Sequence, residues 1–243
     1  MIAARKSRWF RRWFAGHAAG RMRATFASVE IAGIAKLRAA LEAGPVVVVS
    51  NHTAWWDPLV TLVLTEKIVP CDSYALMDAA NLTRLPFFGL IGAIGVDLTN
   101  PRDGAAAILH TGRLLTGPGR LVWIYPQGRE RPSTERPLGF RGGSAEIARV
   151  AKAATVPIAL RYEFMSVERP RLLVDIGEAL PPERDVSKAR DAHERAVTEG
   201  LDRIDAALRT GDRAAYETVI RAPESRFGAL AERWLAWITA PRG

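Results

Sequence analysis

Val46-Val47-Val48-Val49 is an unbroken run of four β-branched residues that ends abruptly at Ser50-Asn51-His52. With Pro45 at its head, the segment Pro45 to Val49 reads as a buried strand. Four more segments read as buried or half-buried strands: Ser73 to Met77, Leu121 to Tyr125, Val156 to Tyr162 and Arg171 to Ile176. Helical patterns lie between them, over Thr25 to Ala43, Pro58 to Lys67, Gly104 to Leu115 and Gly142 to Ala154, and the chain after Pro182 reads as wholly helical. Strands alternating with helices predict an α/β fold: a single layered domain with a mixed, partly parallel sheet flanked by helices. An N-terminal amphipathic helix and a helical C-terminal region complete it. The expected divisions are a basic amphipathic helical region over 1–43, a core over 44–180 and a helical extension over 181–243 packed on that core.

The 243 residues, 48% of them apolar, suffice for one large core. The single cysteine, Cys71, excludes an internal disulfide framework and reads as a small core side chain. The formal net charge of +8 favours polyanionic partners. Much of it is concentrated at the start: Arg5, Lys6, Arg8, Arg11, Arg12, Arg21 and Arg23 occur with no acid before Phe26. Trp9, Phe10, Trp13 and Phe14 are interleaved at helical spacing, so this segment suits a membrane interface, with docking on the protein's own core as the other reading. It lacks the apolar region of a signal peptide. The longest apolar stretch, Phe87 to Val96, is too short to span a bilayer and reads as core or interfacial surface. A peripheral protein on the cytoplasmic face of a membrane is expected. Nucleic acid is not, since only charge and no recognised motif would support it.

In α/β sheets, ligands bind beyond the carboxyl ends of the strands. His52 falls there, and so does Pro126-Gln127-Gly128. Asp57 lies five residues after His52, and on one helix that spacing would rotate the two side chains about 140° apart. The expected arrangement therefore puts His52 in the strand-to-helix turn and Asp57 at the helix start, ahead of Pro58. Two readings of Asp57 stand: a helix N-cap, and a carboxylate that fixes the imidazole tautomer so that the other ring nitrogen acts as a base. The four histidines show no metal spacing, and neither a G-x-S-x-G elbow nor a phosphate-binding glycine loop is present. Without an enzymic nucleophile, a His–Asp pair suits removal of a proton from a substrate hydroxyl.

The motif Asn51-His52-x-x-x-x-Asp57-Pro58 resembles the first signature block of the glycerolipid acyltransferases, the 1-acylglycerol-3-phosphate and lysophospholipid acyltransferase-like family. Gly92-Ala93-Ile94-Gly95-Val96-Asp97, Tyr125-Pro126-Gln127-Gly128 and Val156-Pro157-Ile158 resemble the next three blocks in order, and Phe140-Arg141-Gly142-Gly143 resembles the basic segment between the last two. The resemblance covers about Pro45 to Ile176. It implies an O-acyltransferase in which His52 is the general base and Asp57 orients it. A fatty acyl group would pass from acyl-CoA or an acyl carrier protein to a lysophospholipid or other lipid-like hydroxyl, without metal, organic cofactor or covalent enzyme intermediate. Asn51, Gln127, Gly128, Arg102, Arg129 and Arg131 are the implied substrate contacts, with Gly128 letting a backbone N–H approach the oxyanion. Trp55, Trp56, Phe87 and Phe88 are expected along an acyl tunnel or membrane face.

Three positions depart from the family pattern. Its third-block glutamate is Gln127, its arginine two places after the glycine is Glu130, and its second-block arginine is Leu98. Those arginines are thought to hold an acceptor phosphate, so the acceptor stays open. The other reading is a non-catalytic, membrane-binding relative of the same fold.

Overall fold

The four valines of β2 (Val46–Ser50) are all fully buried because the strand is covered on both sides. Side chains alternate along a strand. Val46 and Val48 accordingly pack with one layer of helices, and Val47 and Val49 with the other. Each contributes about 1.5–3 kcal/mol by leaving water. The structure, a computed structural model, describes residues 1–223 together with Trp234 and Trp237.

Eight strands form one sheet in the order β4-β3-β5-β2-β6-β7-β1-β8. They are β1 (Ser28–Ala32), β2, β3 (Asp72–Asp78), β4 (Ala93–Val96), β5 (Arg120–Ile124), β6 (Ala154–Glu163), β7 (Arg171–Ile176) and β8 (Tyr216–Arg221). The strands β4, β3, β5, β2 and β6 run parallel. The chain then reverses: β6 and β7 are antiparallel, β7 and β1 parallel, and β1 and β8 antiparallel. Helices α1 (Arg8–Thr25), α2 (Ile34–Ala43) and α3 (Asp57–Val63) feed one core layer, α3 running on through a π-helical turn, Leu64–Ile68. Two short helices, α4 (Ala79–Arg84) and α5 (Phe87–Ile91), precede β4. Helices α6 (Pro101–Leu114), α7 (Gly143–Ala151) and α8 (Val186–Thr210) cover the other face.

All five expected strands form, within two residues of their expected ends. Three more were not expected. Thr25 to Ala43 is not one helix, because Ser28–Ala32 is β1, buried at every position. The spacing of Ile31 and Ile34 suggested a helix, whereas Ser28, Val29, Glu30 and Ile31 alternate as a strand does. Glu30 tolerates burial because Arg171 and Arg213 reach it at 3.0 Å and 3.2 Å. Gly33 then turns the chain into α2 with φ +81, where a Cβ would strike the carbonyl of Ile176.

The second strand, β4, ends the apolar Phe87 to Val96 stretch, and Gly92 at φ +109 separates it from α5. The third, β8, corrects the wholly helical reading of the chain after Pro182. Thr218, Val219 and Ile220 supply β-branched residues, and the strand closes the β1 edge. Both flanking regions thus contribute strands to the central sheet. The expectation of helix beyond residue 223 otherwise lies outside the described residues.

The face of α1 that meets the core is Arg11, Ala15, Ala18 and Met22. Arg11 is buried there by an ion pair with Glu66 and bonds to Ser73. Trp9 and Trp13 point away, 73% and 53% exposed.

On α8, His193 is only 3% exposed, and its Nδ1 has no partner among the described residues. Burial pushes its pKa down to about 4 from 6.5. Above the higher value both folded and unfolded chains hold neutral imidazole, and nothing is lost. As pH falls from 6.5 toward 4, the unfolded chain takes up the proton first, so stability declines, by up to about 3 kcal/mol. Urea denaturation across this window should show that decline, and His193→Gln should flatten it.

Candidate active site

The turn that follows β2 carries His52 and Asp57, and its position is fixed by neighbours on both sides of the strand. Asn51 is wholly buried. Its Nδ2 donates to the Leu160 carbonyl at 2.9 Å and its Oδ1 accepts the Leu160 N–H at 2.8 Å, which locks the end of β2 to β6. The His52 N–H donates to Gln127 Oε1 at 2.6 Å, and the His52 carbonyl accepts the Arg131 N–H at 2.8 Å. The segment that follows β5 therefore grips the backbone of His52 at both of its polar groups.

His52 Nδ1 and Asp57 Oδ2 are 2.7 Å apart, and Asp57 is wholly buried. The same oxygen accepts the N–H groups of Thr53 at 2.7 Å and Ala54 at 3.0 Å. The other oxygen, Oδ1, accepts the Tyr162 hydroxyl at 2.6 Å. Four donors thus converge on one buried carboxylate. A carboxylate that accepts from Nδ1 places the proton there, and the lone pair of Nε2 is left for a substrate. Among the described residues Nε2 has no bonding partner. The imidazole stacks on Tyr125, with ring centroids 4.5 Å apart, and the Tyr125 hydroxyl bonds Thr61 Oγ1 at 2.7 Å. Burial, and then the charge of Asp57, raise the pKa values of Tyr125 and Tyr162, so both stay protonated.

Asp57 is not the N-cap of α3. Trp56 holds that position, Asp57 is the first helical residue, and its carboxylate binds N–H groups ahead of the helix. Pro58 does lie in the first turn.

Several expected substrate contacts serve the turn instead. Asn51 is spent on Leu160, and Gln127, 4% exposed, is spent on His52. The Gly128 N–H closes a turn onto the Tyr125 carbonyl at 3.0 Å, so it is not free for an oxyanion. Gly128 has φ +70, and a Cβ there would meet the guanidinium of Arg141 at 3.3 Å. The N–H groups of Arg129 and Glu130, just beyond, donate to no acceptor among the described residues. Arg131 turns back to Glu135 at 3.1 Å and to the Leu138 carbonyl at 3.3 Å. Arg129 is exposed. Arg102 begins α6 after β4, which is three strand spacings, about 14 Å, from β2.

The four aromatic residues do not form one lining. Trp55 is 59% exposed, and Trp56 packs edge-on against Phe26, with Arg21 over both indoles. Phe87 packs on Phe14 near the other end of α1, and Phe88 stacks on Phe87. No group of three His, Cys, Asp or Glu among the described residues could hold a metal ion.

Sequence reasoning missed Tyr162, which lies on β6 and meets Asp57 across 105 positions of chain. It quoted Arg141 but gave it no role. It also missed Glu194 on α8, whose carboxylate accepts the N–H groups of Gly139 at 3.1 Å and Phe140 at 2.8 Å and so anchors the segment presenting Arg141.

A model of the acyltransferase family matches residues 28–161, more than half of the chain. The solved structures that share this fold include that of the 1-acyl-sn-glycerophosphate (LPA) acyltransferase PlsC from Thermotoga maritima. It is 16% identical, with a TM-score of 0.57 over 81% of this chain and 82% of that one. No curated protein matches the chain.

Tyr162→Phe leaves a buried carboxylate oxygen without its donor, and should cost about 1–3 kcal/mol in urea denaturation. In an Asp57→Asn background the same change should cost less, because the charge it served is gone. Gly128→Ala should destabilise by about 1–2 kcal/mol, since φ +70 strains any L side chain. Equal stability to the parent would show that this turn relaxes.

Proposed function

This chain belongs to the acyltransferase family, and we propose that it moves a fatty acyl group from a thioester, acyl-CoA or an acyl carrier protein, to a hydroxyl of a lysophospholipid or similar lipid. The observation that carries this reading is the 2.7 Å contact between His52 Nδ1 and a buried Asp57, which leaves Nε2 unoccupied.

The reaction follows from that placement. The acceptor hydroxyl gives its proton to Nε2 as its oxygen attacks the thioester carbonyl carbon. Asp57 stabilises the imidazolium so formed, held in place by Thr53, Ala54 and Tyr162. The oxyanion is met by the free N–H groups of Arg129 and Glu130 rather than by that of Gly128. Collapse breaks the carbon–sulfur bond, and the leaving thiolate takes the proton back from His52. No covalent enzyme intermediate and no cofactor enter. Arg129 and Arg141, beside Gly128, are the cations best placed to hold an acceptor's anionic head, whereas Arg131 is engaged and Arg102 is distant.

On this reading the reaction takes place at a membrane surface, with the protein as a peripheral one on the cytoplasmic face. Among the described residues no helix is long and apolar enough to cross a membrane. The outward indoles of Trp9 and Trp13, flanked by Arg8 and Arg12, border an open depression of about 540 Å³ with Lys67 and suit an anionic interface.

The test is thioester consumption against a panel of lysolipid acceptors. His52→Ala should lower the rate by about a hundredfold to ten-thousandfold while the fold stays intact by circular dichroism. Asp57→Asn should also slow it, as the imidazole loses its tautomer control. An unchanged rate in His52→Ala would favour the non-catalytic, membrane-binding reading.

A further inference from the structure

The hairpin loop between β6 and β7, Phe164 to Pro170, begins two residues after Tyr162, the residue that holds Asp57. Hairpin tips in water are ordinarily polar. Here Phe164 is 71% exposed, Met165 48% and Val167 40%, followed by the exposed Glu168 and the half-buried Arg169, whose charges offset each other. Strands β2 and β6 are parallel neighbours, so the loop leaves the same edge of the sheet as the His52 turn, one strand away.

That turn adds a fourth exposed apolar group, Trp55, with the Arg21 guanidinium 5.4 Å from its ring. The end of α1 is tied to the same place: Phe26 packs on Trp56 and Tyr162, and the Ala27 N–H donates to the Pro170 carbonyl at 2.9 Å. The C-terminal end of the basic helix α1 thus reaches the loop, while its outward indoles, Trp9 and Trp13, lie toward the other end of that helix. Exposed apolar side chains beside the acid-free end of α1, with Arg21 and Arg23, match one partner, an anionic lipid surface, where the rings enter the interface and the helix cations meet the headgroups.

We propose that Phe164, Met165 and Val167 form a wedge that enters the lipid interface beside the catalytic turn and seats the mouth of the site against the bilayer. This rests on the acyl-transfer reading only for its purpose; the contact itself is independent of catalysis. It also gives the acyl chains a short path, since they need not leave the lipid to reach His52.

The experiment is co-sedimentation of the full chain with vesicles of phosphatidylcholine, alone and with a third of the lipid as phosphatidylglycerol. Phe164→Ser with Met165→Ser should weaken binding to the mixed vesicles about tenfold or more, while the preference for anionic lipid persists through α1. Phe164→Cys carrying an environment-sensitive fluorophore reports the site directly. Burial pushes the Cys71 thiol up to about 12, so the introduced thiol takes the label. Its emission should shift to the blue on vesicle addition, and that of a label at Glu42→Cys, on the opposite edge of the sheet, should not. Unchanged binding of the double variant, or a label at 164 that stays in water while the protein sediments, would overturn the wedge. A blue shift without vesicles that grows with protein concentration would assign the loop to a second copy of the chain and equally overturn it. Failure of the acyl-transfer reading would show instead in the thioester assay and leave these binding results as they stand.

Discussion

A fully buried carboxylate is expensive unless every lone pair is met, and Asp57 is the point on which this site depends. Its four donors come from two sources. Thr53, Ala54 and His52 lie in its own loop, whereas Tyr162 comes from β6. The local donors require the turn to curl back over the first residue of α3, and the distant one requires β6 beside β2. Asn51 enforces that second condition by bonding both polar groups of Leu160. The strand order is thus a precondition of this arrangement: if β6 slipped by one residue, Tyr162 would face the other layer and Oδ1 would lose its donor.

The departures from the family pattern take on a different weight once the bonds are known. Gln127 replaces a glutamate, yet its work here is to accept one backbone N–H through a carbonyl oxygen, and a neutral amide does that. The cost shows at the amide's other end, where Nε2 is buried without a partner among the described residues. Leu98 and Glu130 are exposed, so these substitutions leave the grip on His52 untouched.

The sequence made some of this legible and not the rest, for identifiable reasons. Val46 to Val49 announced a strand buried on both faces because nothing polar interrupts it, and the five-residue step from His52 to Asp57 excluded a shared helix. Contacts between distant segments left no such mark. Nothing in the spacing of Tyr162, Glu194 or Arg141 points to the groups they touch, because sheet order decides those meetings. The missed strands failed differently. In β1 the charged Glu30 interrupts the apolar pattern, and only Arg171 and Arg213, far along the chain, make its burial tolerable. In β8 the edge position leaves half of the side chains exposed and only Ile220 buried, so the apolar signal of a strand is weak there. Asp before Pro is a strong local signal for a cap, one of the two readings of Asp57; the carboxylate goes to the other, meeting His52 and the N–H groups ahead of the helix.

The edge that bears His52 is also asymmetric. On its β5 side lie Arg129 and Arg141, and on its β6 side Trp55, Phe164, Met165 and Val167. The imidazole stands between a cationic flank and an apolar one, on neighbouring strands of the same edge. An amphipathic acceptor has the same division, with a polar head and a hydrocarbon tail on either side of its reacting hydroxyl. Binding it the other way round would set the tail among guanidinium groups and the head against exposed rings, losing both the hydrophobic and the electrostatic gain. On the acyl-transfer reading, the order β5-β2-β6 therefore orients the substrate as well as positioning the base, and it does so with side chains that make no contact with the reacting atoms.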